Sequence, residues 1–220
     1  MRCLLWLCWS VLSGLFAMAA APYDATAANT ILVFGDSLSA GYGVPREKTW
    51  AALLAQRLKQ EAPDYTVANA SISGETSIGG ARRIASTLTR YKPAIVIVAL
   101  GGNDGLRGHN IDDMRANLET IISVCQKANA RVLLAGMRIP PNYGSDYTSK
   151  FRAAFSELAL KHKLAFAPFL LEGFANKPDW FQADGIHPAS KAQQVMLETV
   201  WKALGPVLAE GVKKLKRIQN

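Results

Sequence analysis

Ile31-Leu32-Val33-Phe34-Gly35-Asp36-Ser37-Leu38-Ser39 carries an unbroken apolar run into a glycine, an aspartate and a serine. A short apolar run without polar alternation, closed by a glycine, reads as a strand buried on both faces. Runs of the same kind recur at Thr66–Asn69, Ile95–Leu100, Val132–Ala135 and Leu164–Ala167. Between them, apolar residues return at helical spacing. The segments are Trp50-Leu53-Leu54-Leu58, Ile78–Leu88, Ile111-Met114-Leu118-Ile121-Ile122-Cys125 and Phe151-Ala154-Phe155-Leu158. A last helix is expected after Pro188, with Val195, Met196 and Val200 on its inner face. Strands alternating with helices pair in parallel and are covered on both sides. The sequence therefore predicts an α/β fold, a doubly wound three-layer α/β/α sandwich around a parallel sheet of about five strands.

That architecture forecasts where chemistry lies, because open α/β sheets bind ligands beyond the C-terminal ends of their strands. Here those ends read Gly35-Asp36-Ser37, Ser73-Gly74-Glu75, Gly101-Gly102-Asn103-Asp104 and Met137-Arg138-Ile139-Pro140. The loop before the last helix adds Asp184-Gly185-Ile186-His187-Pro188. All the polar candidates fall on one edge of one sheet.

The chain has 220 residues, half of them hydrophobic, and no low-complexity segment or internal repeat, which fits a single globular domain. Residues 1–28 are set apart from it. Cys3 to Ala21 is continuously apolar or small behind Arg2, and Ala17-Met18-Ala19 and Ala25-Thr26-Ala27-Ala28 follow. A short positive start, an apolar stretch and a small-residue exit make a cleaved signal peptide, with a periplasmic or secreted enzyme as the consequence. An uncleaved anchor is the competing reading, since the stretch is just long enough to span a bilayer. The domain is then 29–220. With Cys3 and Cys8 in the leader, Cys125 stands alone on a helical apolar stripe and reads as core rather than as a catalytic thiol. The net charge is +8, and residues 1–28 remove one base and one acid, leaving it unchanged. Part of it sits in Lys213-Lys214-Leu215-Lys216-Arg217, either a solvated helix end or a weak attraction to anionic membrane surfaces. No basic stripe interleaved with aromatics supports nucleic-acid binding, and nothing calls for a protein partner.

Acyl transfer needs a nucleophile, a base within hydrogen-bond reach, a group that orients the base, and donors for an oxyanion. Three histidines are available. His162, between Lys161 and Lys163, reads as solvated, and His109 belongs to a loop that can reach the rim of the site. His187 has Asp184 three residues before it in a turn. Pro188, placed at a first helical position, would fix the backbone leaving it. The turn can bring the Asp184 carboxylate to one imidazole nitrogen and leave the other for a serine. Each fragment has a plainer reading. Asp184–Pro188 is also an ordinary helix start. Gly35–Ser39 is also a strand-to-loop turn, or a phosphate-binding loop of the kind flavodoxin-like sheets carry. Asp36, Asp104, Asp112, Asp113 and His187 are not spaced for a coherent metal shell, so no metal or cofactor is expected.

The fragments acquire meaning together. Gly35-Asp36-Ser37-Leu38-Ser39, Gly74 within Ser71–Ser77, Gly101-Gly102-Asn103-Asp104 and Asp184-Gly185-Ile186-His187-Pro188 resemble, in order, the four blocks of the SGNH (GDSL) hydrolase superfamily. Further stretches are similar to its secreted bacterial arylesterase, acyl-CoA thioesterase I and lysophospholipase L1 group. These are Ala40-Gly41-Tyr42-Gly43, Leu100 to Gly108, Arg138-Ile139-Pro140 with Asn142-Tyr143-Gly144, and Lys177-Pro178-Asp179-Trp180. The resemblance spans residues 30–205; the basic tail after Pro206 lies beyond it.

The resemblance implies a flavodoxin-like parallel sheet and a serine hydrolase of acyl esters and thioesters. Ser37 would be the nucleophile, His187 the base and then the acid, and Asp184 the orienter of the ring. The Ser37 N–H, the Gly74 N–H and the Asn103 amide would form the oxyanion hole, and Asp36 would brace its loop. Gly74 suits that role because it lets backbone approach a carbonyl without a Cβ, and Asn103 because it is a neutral donor. Ile78, Leu106, Ile139, Pro140 and Tyr143 are expected to wall an apolar groove for an acyl chain. A carbohydrate O-acetyl esterase of the same superfamily is the alternative, and a flavin-binding or sugar-binding module with idle catalytic blocks is the reading from another class.

Overall fold

The computed structural model describes residues 29–219; the expected leader, and the side chains of the basic run near the C-terminus, lie outside what is described. Five strands form one sheet: β1 (Asn29–Gly35), β2 (Tyr65–Asn69), β3 (Ile95–Ala99), β4 (Arg131–Ala135) and β5 (Ala165–Ala167). All pairings are parallel, in the order β2-β1-β3-β4-β5. The helices are α1 (Ser37–Ala40), α2 (Trp50–Glu61), α3 (Ser77–Tyr91), α4 (Gly102–Leu106), α5 (Ile111–Lys127), α6 (Ser145–Lys161) and α7 (Gln193–Gln219). α2 packs with α7 on one face of the sheet, while α3, α5 and α6 pack side by side on the other.

Burial explains why the runs are strands. Ile31 to Phe34 and Ile95 to Val98 are fully enclosed, because β1 and β3 are central and covered twice. Each such side chain is worth about 1.5–3 kcal/mol removed from water. The edge strands are less apolar: in β2 only Tyr65 is buried, and β5 is reduced to three residues. α5 follows its predicted stripe, with Met114, Leu118, Ile121, Ile122 and Cys125 buried. Burial pushes the Cys125 thiol up to about 12, which makes it inert packing. The last helix departs from expectation. Pro188 is not its first residue; it pairs with Phe181 in an antiparallel bridge, and a 3-10 turn over Ser190–Ala192 precedes α7 at Gln193. Its inner face is Met196, Leu197, Val200 and Leu204, with Val195 only partly covered. No helix among the described residues is long and apolar enough to cross a membrane.

The strand order opens the sheet at one place. The chain leaves β1 toward β2 on one side and crosses to β3 on the other, so the loops after β1 and β3 part company and leave a crevice between them.

Candidate active site

β1 ends at that crevice. Gly35 is required there by space: a Cβ would lie 2.7 Å from Ser39 Oγ and 2.9 Å from the Ala99 carbonyl. Asp36 is extended, and its Oδ1 accepts the Leu38 N–H at 3.0 Å, capping the four-residue α1. The Asn69 amide donates to the Ser39 carbonyl at 2.7 Å and ties the same turn to the end of β2. Asp36 is buried, and burial pushes its carboxyl up to about 7 despite the Leu38 hydrogen bond. Ser37, the first residue of α1, is only 8% exposed.

A second turn faces it from far along the chain. Asp184 Oδ1 accepts the N–H groups of Ile186 at 2.9 Å and His187 at 3.0 Å, while Oδ2 lies 2.7 Å from His187 Nδ1. The His187 N–H, the His187 ring and the Ile186 N–H together hold the Asp184 carboxyl down at about 2. An ionised carboxylate at Nδ1 favours the proton on that nitrogen and leaves Nε2 as an acceptor. His187 Nε2 lies 2.9 Å from Ser37 Oγ. Three side chains from two ends of the sequence are thus hydrogen-bonded in series, and the series can draw a proton from the serine. Tyr42 covers the other side of the imidazole, with ring centroids 4.5 Å apart.

α4 supplies the third edge. The Asn103 amide donates to the Glu75 carbonyl at 2.9 Å, which sets the plane of the amide and leaves its second N–H unspent. Beside it, the buried Asp104 accepts the Ser77 N–H at 2.9 Å and the Ser77 hydroxyl at 2.6 Å, clipping α4 to the start of α3. Gly74 sits in the intervening loop at φ 79°, and a Cβ there would meet nothing closer than Arg107 Nη2 at 3.9 Å. Its glycine is therefore demanded by backbone torsion rather than by crowding.

The site opens onto a cavity of about 640 Å³, which Gly74 and Asp184 do not themselves line. Ser37, Asn103 and His187 line it, and so do Leu106, Ile139 and Pro140. Ile78 and Tyr143 do not. Ile78 is 46% exposed at the start of α3, and Tyr143 braces the wall from behind, its hydroxyl donating to the Leu106 carbonyl at 2.7 Å. Met137, Phe169, Leu171 and Phe181 add to the apolar lining, with Arg107 and Arg138 beside them. Sequence reasoning missed Phe169 and Leu171 although they directly follow β5, where the rule of strand C-terminal ends would have found them. His162 is not solvated as expected: its ring is 3.0 Å from Glu119 and 3.3 Å from Gln126, between α5 and α6. His109 lies 3.9 Å from Asp104 and takes no part in the series.

Comparison with known proteins gives the family. The chain is 46% identical over 198 residues to esterase TesA of Pseudomonas aeruginosa, covering 90% of this chain and 98% of that protein. It is 40% identical over 186 residues to thioesterase 1/protease 1/lysophospholipase L1 of Escherichia coli, covering 84% and 88%. The crystal structure of esterase EstA from Pseudoalteromonas sp., inhibited by monoethylphosphonate, superposes with a TM-score of 0.77 at 39% identity, covering 82% of this chain and 99% of that one. Residues 33–195 match the GDSL-like lipase/acylhydrolase family, and the chain belongs to it: it is an ester hydrolase.

Proposed function

We propose that this enzyme cleaves acyl esters and thioesters by a double displacement at Ser37. His187 Nε2 removes the Ser37 proton as Oγ attacks the acyl carbon, and Asp184 holds the ring and offsets the imidazolium charge. The oxyanion that forms is met by the N–H groups of Ser37 and Gly74 and by the free N–H of the Asn103 amide. His187 then gives its proton to the departing alcohol or thiol. Water, deprotonated by the same nitrogen, hydrolyses the acyl-Ser37 ester. The observation that carries this reading is the series Asp184–His187–Ser37, at 2.7 and 2.9 Å, opening onto a cavity walled by apolar side chains. That a relative of the same fold is inhibited by a phosphonate, a reagent for activated serines, supports it.

The wall also argues for substrate class. Leu106, Met137, Ile139, Pro140, Phe169 and Phe181 suit an acyl chain better than a sugar, which would call for more polar partners. Each methylene buried there is worth about 0.8 kcal/mol, or roughly fourfold in kcat/KM. Rates for p-nitrophenyl esters should climb from acetate to at least hexanoate, with acyl thioesters also cleaved. A series that peaks at acetate would favour the carbohydrate O-acetyl esterase.

The leader-like composition of residues 1–28 supports an exported, periplasmic or secreted enzyme. The protein recovered from its native envelope should begin between Ala20 and Thr30. A chain still starting at Met1 would make it membrane-anchored, and the basic tail would then be a second point of membrane attraction.

A further inference from the structure

Ser37 and His187 stand on separate elements 150 positions apart, and a 2.9 Å approach between such elements needs something to hold the two backbones in register. Two chains of hydrogen bonds run between them. In the first, the Tyr42 N–H donates to the Ser37 carbonyl at 3.1 Å. The Tyr42 carbonyl accepts the Gln182 side-chain amide at 2.7 Å. That same amide nitrogen donates to the Pro188 carbonyl at 3.2 Å, while the Gln182 backbone N–H donates to the His187 carbonyl at 2.8 Å. In the second, the Trp50 indole donates to the Leu38 carbonyl at 3.2 Å, and the Trp50 backbone N–H donates to Gln193 Oε1 at 3.0 Å. Gln193 Nε2 then reaches the Pro188 carbonyl at 3.5 Å. Gln193 is 1% exposed, one of the few polar side chains enclosed in the core. The first chain has also shaped the loop it passes. Gly43 is at φ 69°, and a Cβ on it would overlap Gln182 Oε1, so only glycine admits the amide there.

We propose that Gln182 and Gln193 are positioning residues that converge on the Pro188 carbonyl and lock the backbone of Ser37-Leu38 to that of His187-Pro188, fixing the distance across which the catalytic proton moves. The inference rests on the serine-hydrolase reading of the site. Neither side chain needs to touch substrate. Each has an amide with an acceptor and two donor hydrogens, the one neutral side-chain group that can serve carbonyls and an N–H alike without carrying charge toward the imidazole. A register error of the order of 1 Å at a reacting pair can cost about a hundredfold in rate.

Gln182, half-buried and outside the core, provides the decisive variants. Gln182→Ala removes the amide. Gln182→Glu keeps its shape but offers oxygens where two carbonyls need donors. Both should lower kcat by roughly ten- to a hundredfold with KM for a short p-nitrophenyl ester little changed. The kcat is to be measured per phosphonate-titrated site at saturating substrate. Gln182→Ala combined with Gln193→Ala should lose more than the product of the two single losses, because each chain holds register when the other is cut. If Gln182→Glu retains the parent kcat, the side chain is packing only and the proposal falls. A defect confined to KM, or a lowered Tm with parent kcat per titrated site, overturns it equally. Ser37→Ala separates the two claims: activity surviving in that variant removes the serine-hydrolase reading, whereas its loss beside unimpaired Gln182 variants removes only the clamp.

Discussion

The two turns that meet at Ser37 are built alike and behave oppositely. In each, an aspartate accepts the backbone N–H two residues ahead: Asp36 from Leu38 at 3.0 Å, and Asp184 from Ile186 at 2.9 Å. Yet the Asp36 carboxyl is driven up to about 7 and the Asp184 carboxyl down to about 2. The difference is solvent and company. Asp36 is sealed under the sheet edge, where desolvation outweighs its hydrogen bond. Asp184 stands at the surface and collects two N–H groups and an imidazole. The same local motif holds its proton well into the neutral range in one place and is a fixed negative charge in the other. Local sequence cannot distinguish these outcomes, because desolvation is a property of everything packed around the group.

Substitutions can break this contrast, and the largest effect belongs to the atom both turns address. Ser37→Ala should lower kcat for an activated ester by about 10⁴ to 10⁶ with the fold intact, and an organophosphate should label Ser37 and no other serine. Asp184→Asn should cost about 10⁴ in kcat, since a neutral amide no longer fixes the Nδ1 proton. Asp36→Asn keeps the acceptor for Leu38, and its kcat should stay within about tenfold of the parent by the same measurement. Equal losses in the two variants would mean that both carboxylates act as charges, and the contrast would be void.

A smaller loss is expected from the third edge of the site. Asn103→Ala should lower kcat by about 10² to 10³ with little change in KM. A defect mainly in KM would make Asn103 a substrate-binding group.

The smallest effect sharpens the comparison through stability. Asp36 has its folded-state pKa raised from 3.8 to about 7, so the stability linked to its protonation is complete below pH 3.8 and is lost as pH rises to about 7. Asp184 is depressed, so its contribution is present above pH 3.8 and is lost as pH falls toward 2. The unfolding free energy of Asp36→Asn relative to the parent, measured by denaturant titration, should therefore improve from pH 4 to pH 7 and then level off, by at most a few kcal/mol. A difference flat across that range would show Asp36 to be ionised throughout.

Much of the architecture was legible from five apolar runs and the helical stripes between them. Each run needed only to be buried on both faces, and that demand is written in consecutive side chains. The start of the last helix was misjudged because Pro188 is as good a bridge partner as a helix opener, and only Phe181, paired with it, settles which. Within the site, the pairing of Asp184 with His187 was legible as a short-range pattern, while Ser37 stood out only through the resemblance of the four blocks taken together. The wall was visible only in part: Leu106, Ile139 and Pro140 line the cavity, Ile78 and Tyr143 do not, and Phe169 and Leu171 went unnoticed after a strand of three residues.

What the amino-acid sequence determined by itself was therefore everything that depends on near neighbours. It set the run lengths that make strands and the Asp184 turn that grips its own histidine. Tertiary structure alone decided the strand order that opens the crevice between β1 and β3, the burial that separates Asp36 from Asp184, and the 2.9 Å between Ser37 and His187. Those outcomes rest on hydrogen bonds and desolvation between residues as much as 150 positions apart, and their strength is set by packing that no single stretch of chain contains.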